Sequence, residues 1–296
     1  MFRLPRSCRS DRRRARTAFA QSDVIALIVL VLVFAVVVFA LHTVRFRSPG
    51  PGRRNVCAAN LKGLATGFYT YANENNDIWP IVPHLPADAA GTGRVHYAPG
   101  RIGQDRDRGT TEADTDVSVT RNLWMLVRFD MALPAMFVCP NSGDQPNRDA
   151  NPKNYWDFAS YSQISYGYQV PFGLHGQPSG NCDLRMAIAA DKGPYSAALE
   201  AGAAHPGAPT ADLNSSDRDW RSWNSPNHGG EGQNVLHADG SASWIFTPLG
   251  TWQDNIYTRW SDPTGGGAQS PQVRVQGTPP TSNETPFSDT DSLIYP

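Results

Sequence analysis

The longest apolar run of the chain lies near its N-terminus. Residues 24–41 read VIALIVLVLVFAVVVFAL, eighteen consecutive apolar residues, and His42 to Val44 extend them. This length suits a hydrocarbon core about 30 Å thick, where a helix satisfies every backbone group internally. A secretory signal is the rival interpretation, but such a signal has a shorter apolar region followed by a small-residue cleavage site. The pattern predicts a transmembrane helix over 19–47, after a basic leader over 1–18.

A second helix is predicted for the next segment, 48–76, which starts with a linker containing Pro and Gly. Five apolar side chains follow one another at spacings of 4, 3, 4 and 3 residues, so they lie on one helical face. A face of this kind is expected to pack against a core. Its members are Cys57, Leu61, Leu64, Phe68 and Tyr71.

The pattern changes to short apolar runs in the predicted β-rich domain, 77–260. Residues 83–120 are rich in Gly, Asp and Arg and predict a long surface excursion. Beyond them, the apolar runs are separated by Pro, Gly and Asn, which favours strands. Asp239-Gly240 between the last two runs predicts a hairpin with a type I′ turn. Residues 261–296 contain few apolar side chains and predict a flexible tail. The runs are LWMLV, AMFVC, ISYGYQV, MAIAA, QNVLHA and SASWIF.

These elements together predict an α+β fold, in which a transmembrane helix and an amphipathic helix pack on an antiparallel β-sheet. A hydrophobic fraction of 40% excludes a disordered chain, and four Cys in 296 residues are too few for a disulfide scaffold. The net charge of −1 hides an asymmetry, because residues 1–54 hold eleven Arg and two acids. A basic N-terminal end favours a cytoplasmic N-terminus and an extracytoplasmic body. It indicates a membrane partner rather than nucleic acid.

Motifs along most of the chain resemble, in their order, a family of pseudopilin-like proteins from planctomycete-type bacteria. Phe19 and Asp23 match the first and fifth positions of a mature type IV pilin, and Ala18 stands where the family has Gly. Residues 57–62 match a family helix of the Cys-x-x-Asn-Leu-Lys type. The most specific match joins a His to an Asp-Gly pair across ten residues, one more than the usual spacing. This motif comprises His228, Gly229, Gly230, Asp239 and Gly240.

The resemblance implies a pilin-like fold and a structural function. The chain would be a single-pass protein of a bacterial inner membrane, cut by prepilin peptidase between Ala18 and Phe19. It would join other pseudopilin subunits in a type II secretion or type IV pilus-like assembly. Asp23 would pair with the N-terminal amine of a neighbouring subunit, or alternatively cap the membrane helix. The implied disulfide joins Cys57 and Cys139, because both lie in family-like elements that should pack together.

Other functions remain as alternatives. The first is an anchored envelope module that binds a ligand such as a carbohydrate and is neither processed nor polymerised, and the second is an anchored hydrolase. We predict no enzyme, since the chain lacks a nucleophile elbow, a His-Glu-x-x-His motif and a Walker loop. Asn73, Asn75 and Asp77 match the first positions of a calcium loop without its later Gly and Glu. Calcium, which the resemblance allows, has no located site.

A transition-metal site is weighed for the His to Asp-Gly motif. His228, His237 and Asp239 carry atoms that ligate such metals, but their spacing fits no compact zinc motif. The alternative is that Asp239 and Gly240 form a turn while His228 hydrogen-bonds the Gly-Gly loop that follows it. The sequence therefore predicts no metal and no other cofactor.

Overall fold

The computed structural model of the chain describes residues 21–46, 50–83, 102–103, 106–107, 117–196, 206–261, 271–280 and 284–295. The chain forms two compact units, Met1–Pro49 and Gly50–Pro296. The predicted leader and the predicted cleavage position between Ala18 and Phe19 lie outside the described residues.

The first unit contains helix α1, Gln21–Phe46, where the apolar run predicts a helix. The large apolar side chains described in it, from Val24 to Val38, are 38 to 69% exposed. They occupy successive positions and therefore cover every face of the helix. Asp23 lies in the first turn. Among the helices of the described residues, none combines the length and the apolar character that crossing a membrane requires.

The second unit begins with helix α2, Gly50–Glu74. The predicted linker is therefore shorter than expected, and Pro51 lies in the first helical turn, where a missing N–H loses no hydrogen bond. The left-handed residues Asn76 (φ 57°) and Asp77 (φ 61°) follow the helix and turn the chain away from its axis. All five members of the predicted apolar face are buried, which confirms that prediction: Cys57, Leu61, Leu64, Phe68 and Tyr71.

Five strands form one antiparallel sheet in the order β4-β3-β2-β1-β5. Helix α2 packs on this sheet, with the rings of Phe68 and Tyr168 5.2 Å apart and the Asn60 side-chain amide donating to the Tyr166 hydroxyl over 3.3 Å. The α+β class with an antiparallel sheet is thus confirmed. The strands are β1 Tyr166–Gln169, β2 Ala187–Asp191, β3 Gln233–His237, β4 Ala242–Ile245 and β5 Ile294–Tyr295.

Two of the predicted strands are helical instead. The run LWMLV lies in helix α3, Thr120–Arg128, and AMFVC begins in a 3-10 turn, Pro134–Phe137. A short apolar run suits either period, so packing decides between them. The Asp157 carboxylate holds the start of α3 by accepting from the hydroxyls of Ser118 (2.5 Å) and Thr120 (2.8 Å). The buried apolar side chains of α3 are Leu123, Trp124, Leu126 and Val127.

Two segments predicted to be exposed contribute to the core. Residues 117–120, at the end of the predicted excursion 83–120, are buried. The predicted flexible tail, 261–296, contains helix α4, Pro271–Gln276, and strand β5, which pairs with the edge of β1. The tail prediction is wrong for the described residues because the few apolar side chains of this segment are the ones that pack. They include Val273, Val275, Leu293, Ile294 and Tyr295.

The predicted hairpin of β3 and β4 is confirmed, but its turn is of another type. Of the Asp239-Gly240 pair, Gly240 alone has a positive φ, 80°, whereas a type I′ turn needs two. The Gly240 amide donates to the His237 carbonyl over 2.9 Å, as in a type I turn closed by a left-handed glycine. The Tyr69 hydroxyl of α2 donates to the Ala238 carbonyl. The turn therefore sits directly against α2.

Candidate functional site: a buried Cys, His and Asp cluster

Four side chains with metal-ligating or redox-active atoms meet in the core of the second unit. Cys57 lies in the first half of α2, and Cys139 follows the 3-10 turn Pro134–Phe137. His228 ends a second 3-10 turn, and Asp191 is the last residue of β2. One ligand atom from each of the four lies within 4.8 Å of the others, and all four residues are buried.

The two cysteines of the cluster form a disulfide. The Cα atoms of Cys57 and Cys139 are 5.3 Å apart, and 82 positions separate them in sequence. This is the pair that the resemblance implies. Closing a loop of this length lowers the entropy of the unfolded chain, which stabilises the fold by about 4 to 5 kcal/mol on chain-entropy grounds. Cys182 is free and half-buried in the described part of the chain, and burial raises the pKa of its thiol.

His228 and Asp191 form a buried pair beside the disulfide. The Nε2 atom of His228 lies 3.2 Å from Oδ2 of Asp191, with 3% and 0% of the two side chains exposed. Asp191 also accepts hydrogen bonds from the Asn234 backbone N–H (2.7 Å), the Asn234 side-chain amide (3.1 Å) and the Asn227 side-chain amide (3.0 Å). These donors offset the cost of removing a carboxylate from water.

The second nitrogen of His228 faces a polar side chain as well. Nδ1 of His228 lies 3.4 Å from Nδ2 of Asn141, which also donates to the Asn227 carbonyl over 2.8 Å. An amide donor at Nδ1 requires Nδ1 to accept, so the proton of a neutral imidazole belongs on Nε2, where it points at Asp191. The sulfur of Cys139 lies 3.6 Å from the same Nε2 atom.

A short glycine loop fixes the position of His228. The Ser225 hydroxyl accepts from the Asn227 N–H over 3.3 Å and starts the 3-10 turn that ends at His228. Gly229 (φ 67°) and Gly230 (φ 75°) then adopt left-handed conformations, which glycine reaches without strain. At Gly230 a Cβ atom would also meet the Arg221 carbonyl oxygen at 2.6 Å. The loop therefore needs its second glycine for two reasons. The predicted hydrogen bond from His228 to this loop is wrong, because the two ring nitrogens of His228 face Asn141 and Asp191 instead.

His237 and Asp239, from the second half of the His to Asp-Gly motif, lie outside the buried cluster. His237 places Nδ1 3.1 Å from the Arg185 carbonyl and Nε2 3.1 Å from the Ser243 hydroxyl. Asp239 accepts from the Ser241 N–H over 2.8 Å. Hydrogen bonds from the Ser241 side chain and backbone hold the pKa of Asp239 below its ordinary value. The neighbours of these two residues differ from those of His228, so the structure does not join the three residues weighed as a metal site.

The cluster has no relay of the kind that activates a nucleophile. In such a relay the base contacts the nucleophile through one ring nitrogen and its orienting carboxylate through the other, but here the sulfur of Cys139 and the carboxylate of Asp191 both face Nε2. Asp191 is not among the predicted site residues, although the run MAIAA that precedes it predicts β2. A carboxylate directly after a buried apolar run is the signal that could have identified it.

An open cleft on the surface of the same unit has a volume of about 590 Å³. Arg54 places its guanidinium 4.0 Å from the centre of the Trp244 ring and pairs with Glu231. Phe246 is 55% exposed at the cleft. The full lining is Arg54, Asp217, Arg218, Arg221, Glu231 and Phe246, so cationic, anionic and aromatic groups border one space.

Comparison of the chain with protein-family models, with curated proteins and with solved structures finds no match.

Proposed function

We propose that this chain is a membrane-anchored, pseudopilin-like structural subunit of a type II secretion or type IV pilus-like assembly. The observation that carries the proposal is the exposed apolar surface of α1. Large apolar side chains from Val24 to Val38 face outward on every side of the helix, and a surface of this kind marks contact with lipid or with another apolar surface.

The energetics of the apolar run favour a bilayer. Residues 24–41 contain fifteen apolar residues other than Ala. At about −0.3 to −0.6 kcal/mol for each residue, insertion of the run is favourable by roughly 5 to 9 kcal/mol. In the proposed arrangement the apolar run of the sequence, residues 24–41, crosses a bacterial inner membrane once, with the basic N-terminus in the cytoplasm and the second unit outside.

The second unit supports a structural function through its own architecture. Helix α2 buries one face against the antiparallel sheet, and the disulfide of Cys57 joins it to the chain before β1. A folded unit that follows an apolar helix in the sequence is suited to a subunit that assembles through that helix. The neighbours in the assembly would be other pseudopilin subunits, and prepilin peptidase would act on the leader.

The mass of the N-terminal peptide tests this proposal. The full chain is extracted from membranes and digested, and its N-terminal peptide is measured by mass spectrometry. We expect a peptide that starts at Phe19, and replacement of both Ala18 and Phe19 by Asp should leave the leader attached in a matched control. An intact leader starting at Met1 in the wild type would contradict processing as a pseudopilin.

A second candidate function is an anchored envelope module that binds an anionic ligand such as an acidic carbohydrate. The cleft supports it, since its three Arg side chains outnumber its two acids, Asp217 and Glu231, and the exposed Phe246 borders the same space. The test is titration of the full chain with acidic and with neutral oligosaccharides. Selective binding of the acidic ones, weakened by Arg221→Gln and unchanged by Arg148→Gln outside the cleft, would favour this function.

A further inference from the structure

We propose that the cluster of Cys57, Cys139, His228 and Asp191 binds one zinc ion when its two cysteines are reduced. The ligands would be both Sγ atoms, Nε2 of His228 and one carboxylate oxygen of Asp191. This site is independent of the membrane function proposed above, because it is formed within the second unit alone.

The geometry of the cluster suits a tetrahedral ion. Zinc binds sulfur at about 2.3 Å and nitrogen or oxygen at about 2.0 to 2.2 Å, so ligand atoms around it lie roughly 3.3 to 3.8 Å apart. Two of the contacts already fall near this range, since Nε2 of His228 lies 3.2 Å from Asp191 and 3.6 Å from the Cys139 sulfur. All four ligand atoms lie within 4.8 Å of one another, so small rotations of the side chains complete the site.

The hydrogen-bond donors around the cluster can stabilise the negative charge that a zinc site with these ligands would carry. Two thiolates and one carboxylate around Zn²⁺ leave one net negative charge in the core. The amides of Asn227 and Asn234 already donate to Asp191, and donors of this kind stabilise a buried anion. When Nε2 of His228 ligates, its proton belongs on Nδ1. Asn141 can then accept it through its amide oxygen after a half-turn of the side chain, in exchange for its present hydrogen bond to the Asn227 carbonyl.

The donor set selects the class of metal. Calcium and magnesium bind oxygen ligands, whereas thiolate and imidazole together favour zinc among the common divalent ions. The site is closed, with four protein ligands, and all its residues are buried. These features belong to structural zinc sites rather than to catalytic ones, which keep a position for water.

Metal and disulfide are alternative states of the same cysteines. A phosphine reduces the disulfide by taking the oxygen of one water molecule, which gives the phosphine oxide and two thiols. Zinc then displaces the two thiol protons and forms two bonds to sulfur. The oxidised chain keeps its sulfur–sulfur bond and has no thiolate to offer, so we expect it to bind no zinc at this site.

The test is metal titration of the full chain in detergent micelles under anaerobic conditions. After reduction with a phosphine, we expect one zinc ion for each chain, and the oxidised chain should bind none. Asp191→Asn and His228→Gln should each lower zinc affinity at least about tenfold. His237→Gln and Cys182→Ser, which change a histidine and a cysteine outside the cluster, should keep the wild-type affinity.

Cobalt gives a readout that does not depend on the variants. Co²⁺ in the reduced wild type should show the visible bands of tetrahedral coordination and the near-ultraviolet band of thiolate ligation, with circular dichroism confirming a folded chain. Absence of one-to-one zinc binding, loss of binding in Cys182→Ser, cobalt spectra without thiolate bands, or a reduced chain that unfolds and is not refolded by zinc would each overturn the proposal.

Discussion

Single residues in the loop that carries His228 differ in what they tolerate, although they look alike in sequence. Gly229 and Gly230 both have positive φ, but a Cβ atom at Gly229 would meet open space and one at Gly230 would lie 2.6 Å from the Arg221 carbonyl. A left-handed conformation costs a residue with a Cβ roughly 1 to 2 kcal/mol. The second glycine therefore has a steric requirement that the first lacks.

We predict that Gly230→Ala destabilises the protein more than Gly229→Ala does. The first should lower the free energy of unfolding by roughly 2 to 4 kcal/mol, because a clash with backbone adds to the strained φ. The second should cost about 1 kcal/mol, the conformational strain alone. Denaturant unfolding of both variants checks this, and equal losses would show that the loop relaxes around the added carbon.

Two buried acids near the end of the chain, Asp254 and Asp291, have raised pKa values. Asp254 accepts from the indole N–H of Trp260 and from the Ser292 N–H over 2.7 Å. Burial raises the pKa of Asp254 to about 7, although these hydrogen bonds and the charge of Arg274 lower it. Burial and the charge of Asp254 also raise the pKa of Asp291 well above its ordinary value. The folded chain therefore favours the protonated forms.

We predict that this pair makes the protein less stable as pH rises from about 4 to about 7. An unfolded Asp has a pKa near 3.9, so in this window the folded state binds more protons than the unfolded state, and the stability falls with rising pH. The loss should amount to a few kcal/mol at most. Thermal unfolding measured across this window should show a smaller slope for Asp254→Asn. Hydrogen bonds from Arg185 hold the pKa of Asp183 below its ordinary value, so Asp183 titrates below this window and Asp183→Asn should keep the wild-type slope.

At the scale of elements, α2 shows what periodicity can establish. Its apolar face was predicted from spacing, and Leu64 and Phe68 are fully buried in it. Val56 lies on the same helix but is 48% exposed. We predict that Leu64→Asp or Phe68→Asp lowers stability by several kcal/mol, since an unpaired acid in a core is costly. Val56→Asp should change it by less than about 0.5 kcal/mol.

Thermal melting of the full chain measures these effects. Unchanged melting of Leu64→Asp would show that the face is not part of the core in solution. It would then be available for contact with another subunit.

The strands that the sequence predicts correctly are those whose neighbours along the chain are also their neighbours in the sheet. The hairpin of β3 and β4 is of this kind, with an Asp-Gly pair between two short apolar runs. Strand β5 is different, because only two residues pair and their partners, Tyr168 and Gln169, lie more than a hundred positions away. Local composition carries no signal for such a pairing, so the tail was predicted to be flexible. Local composition also failed to predict α3, because its short apolar run suits a helix or a strand and tertiary packing stabilises the helix.

The candidate site also combines residues that local sequence can identify with one that depends on strand pairing. Cys57, Cys139 and His228 stand in motifs that are visible along the chain, whereas Asp191 is brought to them by the pairing of β2 with its neighbours β1 and β3. The Asn234 N–H that binds Asp191 belongs to β3 as well. A site assembled across strands needs the register of the sheet before its members can be identified.

For the whole molecule, the proposed function depends on the orientation of α1 in a membrane. Seven Arg precede the apolar run 24–41, and four more follow it before residue 55. The larger number before the run favours a cytoplasmic N-terminus. We predict that an alkaline phosphatase reporter fused after Pro296 is active outside the cytoplasm. Replacing Arg12, Arg13 and Arg14 with Gln removes the Arg excess before the run and should lower that activity. Activity of a cytoplasmic reporter at the same position in the wild type would contradict the orientation.

Assembly of whole subunits is predicted to depend on Asp23, in the first turn of α1. Asp23 lies inside α1, so the predicted role as the capping residue is wrong. If its charge only stabilises the helix N-terminus, Asp23→Asn should cost less than about 1 kcal/mol. If it pairs with the amine of a neighbouring subunit, the substitution leaves that amine without a partner at low dielectric, which costs more than about 1 kcal/mol for each contact. Repeated along a fibre, this loss should prevent assembly.

Crosslinking in cells between single cysteines at Val31 or Phe34 measures assembly, with Ser22→Ala as the control at equal expression. We expect the crosslinks to disappear in Asp23→Asn alone, and equal crosslinking in all three proteins would leave the anchored binding module as the better function.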